Sequence, residues 1–250
     1  MSFLMLREWC SWVYPFTCEL CGRGGLDGVY LCPECREELA CIEPPVCAVC
    51  GEPAEGSFIP SGLCVDCAAK APLFEKARAV YANDGPVREL LLAFKYAGAI
   101  HLAGTFARMM AEAVAANPHW FGNGPRLLVP VPMYRGKLIR RGYNQAEELA
   151  VLLGRELSWP FAGVLKRLPD GTPQASLDRA GRVRHARKAY ALHERHLRKR
   201  PVQGEHVLLV DDVMTSGATA DVCARLLLRA GASSVCVLTL ARTPRLLRHG

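Results

Sequence analysis

Four Cys-x2-Cys pairs crowd the front of this chain, and no other feature restricts its fold as tightly. They are Cys18/Cys21, Cys32/Cys35, Cys47/Cys50 and Cys64/Cys67, eight of the ten cysteines that precede residue 68. A Cys-x2-Cys turn holds two sulfurs about one edge of a zinc tetrahedron apart, so two turns complete a four-sulfur site and four complete two. Ten residues separate the first two pairs and thirteen the last two, and Gly22 and Gly51 follow a cysteine directly, as tight knuckles require. The spacing favours two sequential ribbons, each closed by neighbouring pairs; interleaved, cross-brace pairing stays open on spacing alone. Thiol–disulfide chemistry needs a reactive thiolate at a helix start within a βα unit, and four tandem copies do not fit it. With sulfur at every corner there is no free position for a substrate, so two structural Zn2+ ions are expected. Of the remaining cysteines, Cys10 and Cys41 lie outside the pairs, and Cys223 and Cys236 sit on apolar stretches as small core residues.

The first sixteen residues, MSFLMLREWCSWVYPF, are apolar but broken by Arg7 and Glu8. They lack the basic start and small-residue cleavage site of a secretory signal, and residues 1–14 are expected to form a short packing helix. No apolar run approaches the roughly 20 residues that cross a bilayer. The expected location is the reducing cytoplasm, where paired cysteines bind metal more often than they form disulfides.

From residue 77 the pattern becomes short β-rich runs separated by helical stretches, the mark of an α/β domain with a mainly parallel sheet. Strands are expected at 79–81, 127–129, 164–165, 207–210 and 235–238, and helices at 86–96, 101–116, 144–157 and 218–230. The basic, apolar-poor stretch 169–201 is expected as a mobile excursion from the sheet, and such long loops are usually functional. Charge is uneven: residues 1–134 carry 10 basic and 14 acidic side chains, residues 135–200 carry 16 and 6, and residues 201–250 carry 5 and 4. The positive excess therefore sits in one central block, suited to phosphate-rich ligands or nucleic acid and equally to a solvated basic face.

The segment 207–220, VLLVDDVMTSGATA, carries most chemical information. Four apolar residues mark a buried parallel strand, after which Asp211 and Asp212 stand at the end where open α/β sheets place ligands. Thr215, Ser216 and Gly217 let backbone approach a phosphate, and Ala218 and Thr219 open a helix whose free N–H groups face it. Strand termination and helix capping are the plainer roles for two aspartates.

This segment closely resembles the phosphoribosyl-diphosphate signature of type I phosphoribosyltransferases. The resemblance implies that Asp211 and Asp212 take the ribose hydroxyls, that Thr215, Ser216, Gly217, Ala218 and Thr219 hold the 5′-phosphate, and that Val131 lies on the same ligand. It further implies Mg2+ bridging ribose and diphosphate. Hypoxanthine-type members carry an aspartate where this chain has Thr215, so the loop is more similar to the orotate type.

In one order the chain carries the zinc pairs, Lys95-Tyr96, Val129-Pro130-Val131-Pro132, the run from Gly142 to Gln145 after Arg141, and the acid loop. Together these resemble the ComF family of competence-type proteins over nearly the whole chain. The implied fold is a type I phosphoribosyltransferase-like parallel sheet behind a small double zinc ribbon, with an apolar helix at 1–14, ribbons at 15–70, the α/β domain at 77–243 and a basic tail at 244–250. Gln174, Leu177, Arg182, His185 and Tyr190 match a further family stretch, with His185 replacing an asparagine and taken as structural or surface.

By that resemblance the chain is expected to handle single-stranded DNA in natural transformation, and to bind phosphoribosyl diphosphate. Phosphate contacts are expected from Lys95, Arg140, Arg141, Arg182, Arg184 and Arg187, with Tyr134, Tyr143, Trp159 and Tyr190 available to stack on bases. Tyr143 and Trp159 also suit core positions by periodicity. An active transferase acting on a small nucleophile is the alternative, and a competence or helicase partner could dock on the ribbons.

Overall fold

The computed structural model describes residues 16–24, 28–53, 61–121, 127–169 and 189–244. The helix expected over 1–14, residues 245–250 of the tail, and Cys10, Gln174, Leu177, Arg182, Arg184, His185 and Arg187 lie outside them. In the ribbons a short helix follows the second pair's first cysteine in each case, α1 at Pro33–Glu37 and α2 at Val65–Ala69. The body then runs β1 (Ala77–Ala82), α3 (Gly85–Tyr96), α4 (Leu102–Ala116), β2 (Leu127–Pro130), α5 (Arg135–Arg141) and α6 (Gln145–Leu157). It continues with β3 (Leu165–Arg167), β4 (Tyr190–Leu192), α7 (Glu194–Lys199), β5 (His206–Met214), α8 (Ala218–Arg229) and β6 (Ser234–Arg242).

Four strands form a parallel sheet in the order β1-β6-β5-β2. Its middle strands are apolar on both faces because helices cover both: Val207 to Val210 and all nine residues of β6 are buried. Leu208, Val210, Cys236 and Leu238 face the layer of α3, α4 and α6. Val207, Leu209, Val235 and Val237 face α8, whose Ala220, Cys223, Ala224 and Leu227 recur at helical spacing on one stripe. Cys223 and Cys236 are core residues, as expected.

The expected elements at 79–81, 127–129, 207–210, 235–238, 86–96, 101–116, 144–157 and 218–230 all form, with small shifts of boundary. Three details differ. Residues 164–165 do not join the parallel sheet; β3 pairs antiparallel with β4 in a separate two-stranded sheet. Lys166 and Arg167 follow Leu165 directly, so this strand cannot be buried on both faces. The described part of 169–201 is no simple excursion, since it supplies β4 and α7. β5 also continues past Val210 to Met214, because β6 is long enough to pair with it there.

The ribbons are fastened to the sheet by backbone and by one buried ion pair. Ile42 N–H donates to Val80 O at 3.0 Å, Ala82 N–H to Ala40 O at 2.8 Å and Ala77 N–H to Val49 O at 2.7 Å, which covers part of the β1 edge. Gly51, at φ +70°, lies so close to this junction that a Cβ there would sit 2.6 Å from Ala77 O. Arg242, the last residue of β6, donates through Nε to Glu52 at 2.8 Å and through Nη1 to Cys50 O at 2.8 Å. Arg242 and Glu52 are only 3% and 6% exposed. Removing one partner of such a pair strands a buried charge, so Glu52→Ala is expected to cost about 3–5 kcal/mol of stability in urea unfolding. Adding Arg242→Met to Glu52→Ala is expected to recover part of that loss.

Candidate ligand cleft and metal centres

The eight paired cysteines gather into two clusters, Cys18/Cys21/Cys32/Cys35 and Cys47/Cys50/Cys64/Cys67, with the sulfurs of each within 4.8 Å of one another. Sequential pairing is therefore the arrangement adopted. Within each cluster one thiolate is favoured: burial opposes it, but backbone N–H groups, led by those of Cys32 and Cys64, bring Cys18 down to about 6 and Cys47 down to about 7. In the second cluster two thiols resist ionisation. Burial pushes Cys50 up to about 12, and burial with the neighbouring thiolates raises Cys67 further. Four thiolates this close need a central dication, and an all-sulfur tetrahedron is the donor set of structural zinc. The clusters fit two structural Zn2+ ions, one per ribbon.

A second site opens at the carboxyl edge of the sheet, between β2 and β5. Here the chain from β2 leads to α6 on one face of the sheet, while β5 leads to α8 on the other. Such a reversal leaves a crevice. β2 ends at Pro130, and Val131 N–H makes the last bond across to β5, to Val210 O at 2.9 Å. β5 therefore runs on alone on that side, and Asp211 and Asp212 come to line a cleft of about 290 Å³. Strand alternation points Asp211 toward the α8 layer and Asp212 toward α3.

The two acids have different surroundings. Burial, and then the charge of Asp212, push the Asp211 carboxyl well above the ordinary carboxylate range, while the Asp212 N–H and Lys95 offset part of this. Asp212 Oδ2 accepts from Lys95 Nζ at 2.9 Å, and its Oδ1 accepts from Val213 N–H at 2.7 Å. Beyond the pair, residues 213–220 enclose a smaller hollow of about 60 Å³ with Val237 and Thr239. Gly217 caps α8 at φ +77°, where a Cβ would lie 2.6 Å from Met214 Cε. The left-handed turn favours glycine, and any Cβ there would also have to push the Met214 side chain aside. Thr215, Ser216 and Ala218 are exposed around it.

The cleft's other wall is cationic, with Lys137, Arg141 and Arg167 beside Lys95. Arg141 lies over the Tyr96 ring, 4.6 Å from its centroid, and donates to Gln145 Oε1 at 3.2 Å. Gln145 Nε2 and the Tyr143 hydroxyl both donate to Phe94 O, the former at 3.2 Å, and Asn144 Nδ2 donates to Val131 O at 3.2 Å. The run from Tyr143 to Gln145 thus braces both the α3 end and the proline turn, a role that no spacing pattern signals.

Lys95, expected as a nucleic-acid contact, is inside the cleft on Asp212, whereas Arg140 is exposed on α5. Tyr143 and Trp159 pack in or against the core, as periodicity favours. Tyr190 is buried as well, which removes it as a stacking surface. Among the described residues the aromatic ring most open to solvent is Tyr96, at 68% exposure.

A switch-point cleft with an acid pair, set behind two four-cysteine ribbons, defines a phosphoribosyltransferase-type domain joined to a double zinc ribbon. The double zinc ribbon domain matches residues 9–74 and the phosphoribosyl transferase domain residues 140–249. DNA utilization protein YhgH of Escherichia coli K12 is 31% identical over 229 residues, 90% of each chain. Competence protein F of Haemophilus influenzae is 30% identical over 92% of this chain and 98% of its own. Competence protein ComFC of Bacillus subtilis is 27% identical over 85% of this chain and 84% of its own. The chain belongs to the ComF family. Elemental analysis of reduced, purified protein is expected to give two zinc ions per chain, and Cys32→Ser to lose one of them and unfold the first ribbon.

Proposed function

We propose that this chain binds phosphoribosyl diphosphate in the β2/β5 cleft and single-stranded DNA along the basic rim beside it, as a cytoplasmic component of DNA uptake. The observation that carries the first half is the acid pair at the switch point, with a small hydroxyl-rich loop next to it and four cations opposite. Asp211 and Asp212 would accept from the ribose hydroxyls, and the N–H groups opening α8 would face the 5′-phosphate. Val131 borders the same space, and Lys137, Arg141 and Arg167 line the side open to a diphosphate. A bound Mg2+ would neutralise the diphosphate and make it a better leaving group. The names of the relatives, which speak of competence and DNA utilization, support the second half.

Asp211 gives a test with two opposed readouts. Its raised carboxyl makes the ionised form a burden on the fold above the ordinary carboxylate range, and that cost disappears as pH falls through the raised value. Asp211→Asn is expected to abolish phosphoribosyl diphosphate binding in calorimetry. At pH 7–8 it should raise the unfolding midpoint by roughly 2–4 °C for each kcal/mol relieved, a gain that fades toward pH 4. Unchanged affinity would sink the ligand assignment.

The DNA half rests on α5, where Arg135, Lys137 and Arg140 are exposed, with Ile139 at 75% exposure and Tyr96 nearby on α3. Stacking beside phosphate-pairing cations suits a flexible strand. Oligonucleotide affinity is expected to fall with salt, with a logarithmic slope of roughly 0.7 for each phosphate neutralised. Replacing Arg135, Lys137 and Arg140 by alanine should flatten that slope by about two units. A wild-type protein that binds no oligonucleotide at low salt overturns this half of the reading.

A further inference from the structure

Lys95 occupies an unusual place. Its ammonium sits 2.9 Å from Asp212 Oδ2, and the two side chains are 21% and 14% exposed. The turn that carries it is fixed from below: Phe94 is fully buried, packs edge-on against Phe106, and has its carbonyl held by Tyr143 and Gln145. The backbone is thus pinned while a four-carbon side chain is free to swing within the cleft. Without a positive charge, two adjacent acids in this position would repel each other with little water to screen them.

We propose that Lys95 is an internal counter-ion: it stands at Asp212 in place of a divalent cation while the cleft is empty, and it transfers to the anionic part of the ligand when the cation arrives. The inference rests on the phosphoribosyl diphosphate reading and adds a residue that sets the order of events. A dication and an ammonium cannot share one carboxylate oxygen without strong repulsion. Entry of the cation therefore displaces Lys95 within the cleft that Lys137 and Arg141 also line, where a diphosphate would gather. Cation binding without the phosphorylated ligand is suppressed, because the displaced ammonium then has no partner. The device makes the acid pair selective for a cation that comes with a polyanion.

Lys95→Met separates these roles because its two effects have opposite signs. Zinc-replete protein is titrated with Mn2+ alone by electron paramagnetic resonance, and with phosphoribosyl diphosphate in excess Mg2+ by calorimetry. The variant is expected to bind Mn2+ alone roughly tenfold more tightly and the phosphorylated ligand roughly tenfold more weakly. Lys95→Arg, which keeps the charge, should stay close to wild type for Mn2+, and Lys95→Gln repeats the test if the methionine variant does not fold. General damage to the site weakens both ligands together and cannot produce this crossing. Mn2+ affinity that is unchanged or weaker in the neutral variants overturns the inference, even where wild type binds phosphoribosyl diphosphate. Tighter Mn2+ binding with no phosphoribosyl diphosphate bound by any of the proteins supports the counter-ion role and overturns the phosphoribosyl reading instead.

Discussion

β5 has to be apolar on both faces along its first half and polar at its end, and the rest of the body follows from that requirement. Helices must cover both faces of Val207 to Val210, so α6 lies on one side and α8 on the other. That opposed winding creates the crevice beside β2. The β2 ladder stops after Val131 while β5 runs on to Met214, so the two acids emerge into the crevice and not beside a paired strand.

The same strand arrangement explains why a zinc-stabilised module is fused in front. β6 is buried along its whole length and ends in Arg242, a cation that needs an anion within the interior. Glu52 and the Cys50 carbonyl of the second ribbon supply the partners. The linker behind that ribbon also touches the loop region, since Leu73 N–H donates to Asp221 Oδ1 at 2.7 Å on α8. The second metal centre therefore holds the scaffold on which the acid loop stands. Its sulfurs offer no open position for chemistry of their own.

Electrostatics sets the character of the cleft. Asp211 resists ionisation, Asp212 is paired with Lys95, and three further cations stand across from them. The cleft therefore carries more positive than negative charge, with its one paired carboxylate held by Lys95. The basic rim on α5 continues this field outward to the exposed Tyr96.

Much of this was legible in the linear chain. Cysteine spacing determined eight metal ligands, because a tetrahedron of thiolates has few alternatives, and the run from Val207 to Thr219 determined a buried strand that ends in two acids and a small, hydroxylic turn, because apolar periodicity and turn composition are local properties. Other features depend on contacts between distant segments, to which local pattern is blind. Only the folded chain chose sequential over interleaved zinc pairing, placed Lys95 on Asp212 instead of on an open basic face, and buried Tyr190 while leaving Tyr96 exposed. Only the fold, likewise, turned the run from Tyr143 to Gln145 into a brace for Phe94 and Val131, since both carbonyls lie on other elements and become partners only when α3, β2 and α6 pack together.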